Sequence, residues 1–161
     1  MINQKNQEME KNKESEKVFK QRKEELRKEM AKEPKVPETK KETLRRLFIA
    51  NNLVAEDVFK HAHYTIITRA GIDKIQAAQS IEIRYELAHL SEDHSHCLIK
   101  AFGKLGDKII ETFGEATPKN NKNAYPVAMA EKRAMSRIVL KLAGFYELGI
   151  FGEDESDDFK K

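Results

Sequence analysis

The sequence predicts an α+β fold in which a three-stranded antiparallel meander packs on a long C-terminal helix. Residues 81–87 alternate apolar and polar side chains, a pattern typical of a half-buried strand. Two strand-length segments, 96–102 and 108–113, follow after short connections of turn-forming residues. Residues 126–143 then place apolar side chains at helical spacing. Because a meander leaves two faces, we expect this helix to cover one of them.

Shorter elements precede the meander. A helix is predicted over residues 42–51, and the β-branched segment 63–68 suits one further N-terminal strand. Thr68 is placed to cap a helix over residues 69–79. At the long helix, Pro126 suits a first turn and Gly144 a C-terminal stop.

Charge divides the 161 residues into three segments. Residues 1–40 form a charged N-terminal arm and linker, helical over about 7–32 or disordered, with too few large apolar groups for a core. Residues 41–151 form the folded domain. Residues 152–161 form an acidic tail with five acids and two lysines. The net charge of +3 therefore hides a polarised chain, and its distribution indicates more about partners than its sum.

Composition excludes several classes of protein. The single cysteine, Cys97, cannot form an intramolecular disulfide, which favours a reducing cytoplasm. The N-terminal residues lack the apolar core of a signal peptide, and no apolar run approaches the length of a membrane span. We therefore expect a cytoplasmic protein with no membrane partner.

The predicted long helix holds the strongest functional candidate. Its basic residues recur at i, i+4 and i+8, and an Asn- and Lys-rich loop precedes it, ending at an aromatic ring suited to base stacking. A solvated helix face is the plain alternative. The predicted DNA-binding residues in this region are Lys119, Lys122, Tyr125, Lys132, Arg133, Arg137 and Lys141.

Three cations of the meander extend this candidate. Arg84, Lys100 and Lys108 fall on one face if the strands pair as supposed. A positive, partly aromatic groove between sheet and helix would then track a single nucleic-acid strand.

Other sites are weaker. Asp93, His94, His96 and Cys97 lie close in sequence, but they fall at a hairpin tip and on alternating strand faces, so we expect no metal site. Asp107 and Glu111 lack the acid-x-Lys pattern of metal-dependent nucleases. No P-loop or nucleophile motif is present, and we expect neither catalysis nor a cofactor.

The acidic tail suggests a protein partner. Asp157 and Asp158 beside Phe159 suit a basic, apolar pocket on a replication or recombination protein. Such a tail can also occupy the chain's own basic surface and compete with DNA.

The order of three strands and a helix, ending in AMAEKRAMSRIVLKLAG, resembles phage and prophage single-strand annealing proteins of the Sak and Erf type, which share the fold of the recombination mediator Rad fifty-two. The resemblance covers roughly residues 60–146. It implies homo-oligomeric rings that bind single-stranded DNA and anneal complementary strands without ATP in recombination and repair. The resemblance implies that Arg133 and Arg137 on the matching helix bind DNA, together with Lys132 and Lys141 on the same helix and Lys100 and Arg84 on the meander. A non-catalytic scaffold and a metal-dependent nuclease remain the alternatives.

Overall fold

The computed structural model describes residues 16, 20–24 and 38–155. The chain divides into two units, Met1–Glu38 and Thr39–Lys161. In the first, residues 16 and 20–24 are helical, and the rest of the predicted arm helix lies outside the described residues. The predicted partner-binding residues Asp157, Asp158 and Phe159 also lie outside them.

In the second unit, residues 39–155 form three α-helices and six strands. The helices are α1 (Lys40–Ala50), α2 (Arg69–Gln79) and α3 (Pro126–Leu142). The strands are β1 (Val58–His61), β2 (Tyr64–Ile67), β3 (Glu82–Leu90), β4 (Cys97–Leu105), β5 (Lys108–Ala116) and β6 (Ile150–Gly152).

The predicted meander is confirmed. Strands β3, β4 and β5 pair antiparallel in that order, and α3 packs on one face of the sheet. Two glycines allow close packing, because a Cβ at Gly114 would overlap the backbone of Ala130 and Ala134, and one at Gly103 would overlap Ile138. The inner face is therefore in direct contact with the helix, and the predicted groove between sheet and helix is absent from the described residues.

A second sheet joins segments from both ends of the domain. Strand β2 pairs antiparallel with β1 and parallel with β6, which follows α3. Gly152 in β6 packs on Ser136 of α3, since a Cβ there would lie 2.8 Å from the Cβ of that serine. The predicted segment 63–68 is thus a strand, but its partners were not predicted, and it belongs to a sheet separate from the meander.

Local signals account for the ends of α1 and α2. The Thr39 and Glu42 side chains form a capping box at α1, and the Thr68 hydroxyl accepts a hydrogen bond from the Gly71 backbone N–H at α2, as predicted. Before α2, the buried Asp57 carboxylate accepts hydrogen bonds from the Val54 backbone N–H and from Lys74 Nζ, at 2.9 and 2.7 Å. The hydrogen bond from Lys74 is the main cause of the lowered pKa of Asp57.

Within the described part of the chain, every helix is too short or too polar to cross a bilayer.

Candidate nucleic-acid interface

Three basic side chains of α3, here called the basic row, lie along the edge of β5. They are Arg133, Arg137 and Lys141, one helical turn apart. Four helical residues rise about 6.0 Å and two strand residues about 6.6–6.8 Å, so a row at i, i+4, i+8 matches every second residue of an antiparallel strand edge. The basic row therefore faces the backbone of β5, and only part of it faces solvent.

Arg133 is corrected from a surface cation to a buried one. It is 1% exposed. Its Nη1 donates to the Glu115 carbonyl at 2.7 Å, Nη2 to the Asn120 carbonyl at 2.7 Å, and Nε to the Asp154 carbonyl at 3.0 Å. A guanidinium presents donors in a rigid fork, which suits three acceptors from three segments. Arg133 therefore joins β5, the following loop and the C-terminal segment, and in this conformation it is closed to DNA.

Arg137 is also engaged. Its Nη1 donates to the Phe113 carbonyl at 2.6 Å, and its Nε lies 2.5 Å from Glu155 Oε1. Glu155 is only 6% exposed, and among the described residues its Oε2 is buried without a hydrogen-bond partner. Asp154 accepts a hydrogen bond from the Ser136 hydroxyl at 3.0 Å. Asp154 and Glu155, which belong to the predicted acidic tail, thus pack on α3. Glu155 forms an ion pair with Arg137, which was predicted to bind DNA.

Lys141 and Lys132 lie at the exposed positions of α3. Lys141 Nζ is 3.4 Å from Thr112 Oγ1 and 5.2 Å from the centroid of the Tyr146 ring. Lys132 points away from the buried side of the helix, beside Arg133 in sequence but opposite to it in environment. The predicted DNA-binding cations of α3 therefore divide into two arginines that are engaged within the protein and two lysines that are exposed.

The loop of residues 117–125, here called the lysine loop, presents its cations to solvent. Lys119 and Lys122 are exposed, and Tyr125 is 64% exposed at the start of α3. The loop is ordered by its asparagines: Asn120 Oδ1 accepts from the Thr117 N–H, and the Asn120 carbonyl accepts from Arg133. Asn120 thus orders the loop that displays the two lysines.

The face of the meander opposite α3, here called the open face, holds a cluster of cations and rings. Arg84 pairs with Phe102 across β3 and β4, and its guanidinium lies 4.1 Å from the ring centroid. Lys100 Nζ lies 4.6 Å from the Phe102 ring centroid and 6.0 Å from that of Phe113. Phe113 is 45% exposed. The predicted shared face is correct for Arg84 and Lys100.

Lys108 is not part of this face, contrary to the prediction. It pairs with Leu105, whereas Phe113 pairs with Lys100, so Lys108 and Phe113 lie on opposite faces of the sheet. The turn at Gly106 and Asp107 sets this register, which sequence periodicity alone left open.

Sequence reasoning missed the two phenylalanines of the open face. Phe102 and Phe113 stand at alternate positions to residues that the inner face buries, a signal visible once the strand register is known. The open face also carries acids. Lys100 Nζ lies 2.7 Å from Glu111 Oε2, and Glu86 pairs with Lys100 across the strands. Its chemistry is therefore aromatic with mixed charge, and less positive than predicted.

The connection between β3 and β4, which contains His94 and His96, is a turn held by hydrogen bonds to Asp93. The Asp93 carboxylate accepts hydrogen bonds from the Ser91 and Ser95 hydroxyls, and these bonds lower the pKa of Asp93 to about 2. Cys97 is buried on the inner face, where burial raises the pKa of its thiol. Over residues 38–155 and the short helical stretch before them, no three acidic, histidine or cysteine side chains converge as a metal site would require.

Comparison with known proteins gave no relative: no protein-family model, no curated protein and no solved structure matches the chain.

Proposed function

We propose that this chain binds single-stranded DNA and anneals complementary strands without ATP, as in phage-type recombination. The observation that supports the proposal most directly is the open face, where Phe102 and Phe113 lie among Arg84 and Lys100. The likeness of residues 60–146 to single-strand annealing proteins supports it independently.

Base stacking is the main interaction in this proposal. Each nucleobase offers a π-face, so an aromatic ring on a flat sheet binds bases with little sequence preference, and a guanidinium stacks in the same way. Phe102 and Phe113 lie on neighbouring strands in adjacent rows of the sheet, because Lys100 pairs with Phe113 while Phe102 is two residues further along. One base can therefore stack on the exposed ring of Phe113, and a second can stack on the Arg84 guanidinium that lies over Phe102.

Phosphate contacts come from the lysine loop. Strand β5 ends at Ala116, so the loop leaves the sheet at the end of the row that holds Phe113. Lys119 and Lys122 are exposed on this loop, whereas Lys132 is exposed on α3, which packs on the other face of the sheet. We assign Lys119 and Lys122 to the sugar–phosphate backbone, and we assign Arg133 to holding the loop that presents them.

The proposal includes the compartment, the oligomeric state and the protein partner. The chain acts in the cytoplasm of a bacterial host, as a homo-oligomer, and its acidic C-terminal residues contact a replication or recombination protein. The charged arm before residue 40 has no role assigned.

Fluorescence anisotropy with a labelled oligothymidine tests the stacking surface. We expect Phe113→Leu, which keeps an apolar side chain and removes the ring, to bind roughly fivefold to a hundredfold more weakly, since one stacked base contributes about 1–3 kcal/mol. Tyr64→Leu, which removes a partly exposed ring from the other sheet, is the matched control and is expected to bind normally. Equal affinity of wild type and Phe113→Leu would refute the open face as the binding surface.

Salt titration tests the lysine loop separately. Each phosphate contact to a single strand contributes about 0.7 to the slope of log affinity against log salt concentration. The double variant Lys119→Ala, Lys122→Ala should therefore lower the slope by about 1.4. An unchanged slope would remove the loop from the interface.

Annealing itself is measured with two complementary labelled strands in the absence of ATP. We expect the protein to accelerate pairing over protein-free strands. Binding without acceleration would limit the function to binding, and absence of both would favour the alternative of a scaffold protein.

A further inference from the structure

Strand β3 is an open edge of the meander. Among the described residues its one strand partner is β4. Most of its nine residues are exposed. The inner face of β4 is buried at Ile99 and Ala101, but on β3 the same face is half-covered at Ile83 and Tyr85, and Leu87 is 56% exposed. Helix α3 packs mainly under β4 and β5, so the apolar side of β3 is left incompletely covered.

The opposite edge of the sheet is closed along part of its length. Arg137 and Arg133 donate to the carbonyls of Phe113 and Glu115 in the C-terminal half of β5. A second chain cannot pair there without breaking those bonds, and covering an edge in this way prevents unwanted strand addition. Edge pairing along a full strand is thus available at β3, and two identical edges can meet only about a two-fold axis.

One antiparallel register of β3 against a second β3 is complementary in both charge and shape. With Tyr85 opposite Tyr85, each Arg84 lies opposite a Glu86 of the other copy, and each Ile83 lies opposite a Leu87. The registers centred on Arg84 or on Glu86 place like charges opposite each other, which is unfavourable. A register centred on Ile83 also places Arg84 opposite an acid, Glu82, but it pairs only residues 82–84 within the strand. The register about Tyr85 therefore combines opposite charges with the longer ladder, and it keeps the two inner faces on one side.

We propose that two copies of this chain pair through β3, antiparallel about Tyr85, and join their meanders into one six-stranded sheet. The partner is a second copy because the edge is self-complementary. The bulge between Leu87 and His89 ends the regular ladder there, so the shared ladder covers residues 82–88. Closure about a two-fold axis gives a dimer, in contrast to the ring that the family resemblance implies. This inference does not depend on DNA binding.

The test is the mass and dissociation constant of the full chain without DNA, by light scattering and sedimentation equilibrium. We expect a dimer for the wild type. Arg84→Glu puts a glutamate opposite Glu86 twice per dimer and should raise the dissociation constant roughly tenfold. The swap Arg84→Glu, Glu86→Arg restores both pairs and should restore the affinity. Lys41→Glu, the same charge change at an exposed site in the first turn of α1, is the control and should dimerise normally.

Arg84→Glu also removes the contact with Phe102, so circular dichroism is used to check that each variant is folded. A wild-type monomer at about 100 μM would overturn the proposal, as would an assembly whose mass and affinity are the same in Arg84→Glu. Failure of the folded swap variant to recover would overturn the assigned register. A wild-type protein that dimerises but does not bind DNA would instead count against the proposed function.

Discussion

Replacing Arg133 with methionine removes the donor groups of three hydrogen bonds and leaves a shorter, unbranched apolar side chain. The carbonyls of Glu115, Asn120 and Asp154 then lose their partner inside the protein. Each unsatisfied buried carbonyl costs about 1–3 kcal/mol. Part of the total cost for the three carbonyls is offset, because water can enter and a buried charge is removed. We expect Arg133→Met to lower the free energy of unfolding by about 3–5 kcal/mol, a large part of the 5–15 kcal/mol typical of a domain.

The assay is urea unfolding followed by circular dichroism, with the slope compared among variants to detect a change in the unfolded state. Arg133→Lys keeps the charge but not the fork and should lose an intermediate amount of stability. Lys132→Met alters the exposed neighbour and should stay within about 0.5 kcal/mol of wild type. Amide hydrogen exchange gives a second readout, because the lysine loop should exchange faster in Arg133→Met. If Arg133→Met were as stable as Lys132→Met, the anchoring role of Arg133 would be refuted.

Three further substitutions test other contacts of the fold: the ion pair before α2, the packing of β5 on α3, and the cap of α2. The hydrogen bond from Lys74 lowers the pKa of Asp57, so the carboxylate stabilises the fold above about pH 4, and this contribution is lost as the pH falls through the lower folded pKa. Asp57→Asn should cost about 1–3 kcal/mol at pH 7 and weaken the acid dependence in urea titrations; a parallel pH profile would contradict the ion pair. Gly114→Ala should destabilise by about 1–3 kcal/mol, since its methyl group meets the backbone of Ala134, and an unchanged urea midpoint would argue against this close approach. Thr68→Ala should cost about 1 kcal/mol by losing the cap of α2, whereas Thr68→Ser should keep most of the stability.

The sequence predicted correctly the elements whose signals lie in consecutive residues, and it did not predict pairing between segments that are far apart in the chain. Helix α3 and the three meander strands were predictable because their apolar periodicity is written in consecutive residues. The cap at Thr68 was predictable because a capping threonine directly precedes the helix that it caps. Strand β6 was not, since three residues show no usable period and its partner, β2, lies far earlier in the chain.

The candidate site divides in the same way. Lys119, Lys122 and Tyr125 were predicted on a loop and are exposed there. Lys108 was misplaced because a hairpin turn, not the strand pattern, sets which face a residue takes.

By itself, the sequence determined the order and type of the main elements and the positions of the charges along them. The tertiary structure alone decided which cations are available to a ligand. Arg133 and Lys132 are neighbours in sequence with the same charge, yet one is buried against three carbonyls and the other is exposed. The difference arises because α3 lies along the edge of β5, and that edge supplies acceptors at a spacing that matches one side of the helix.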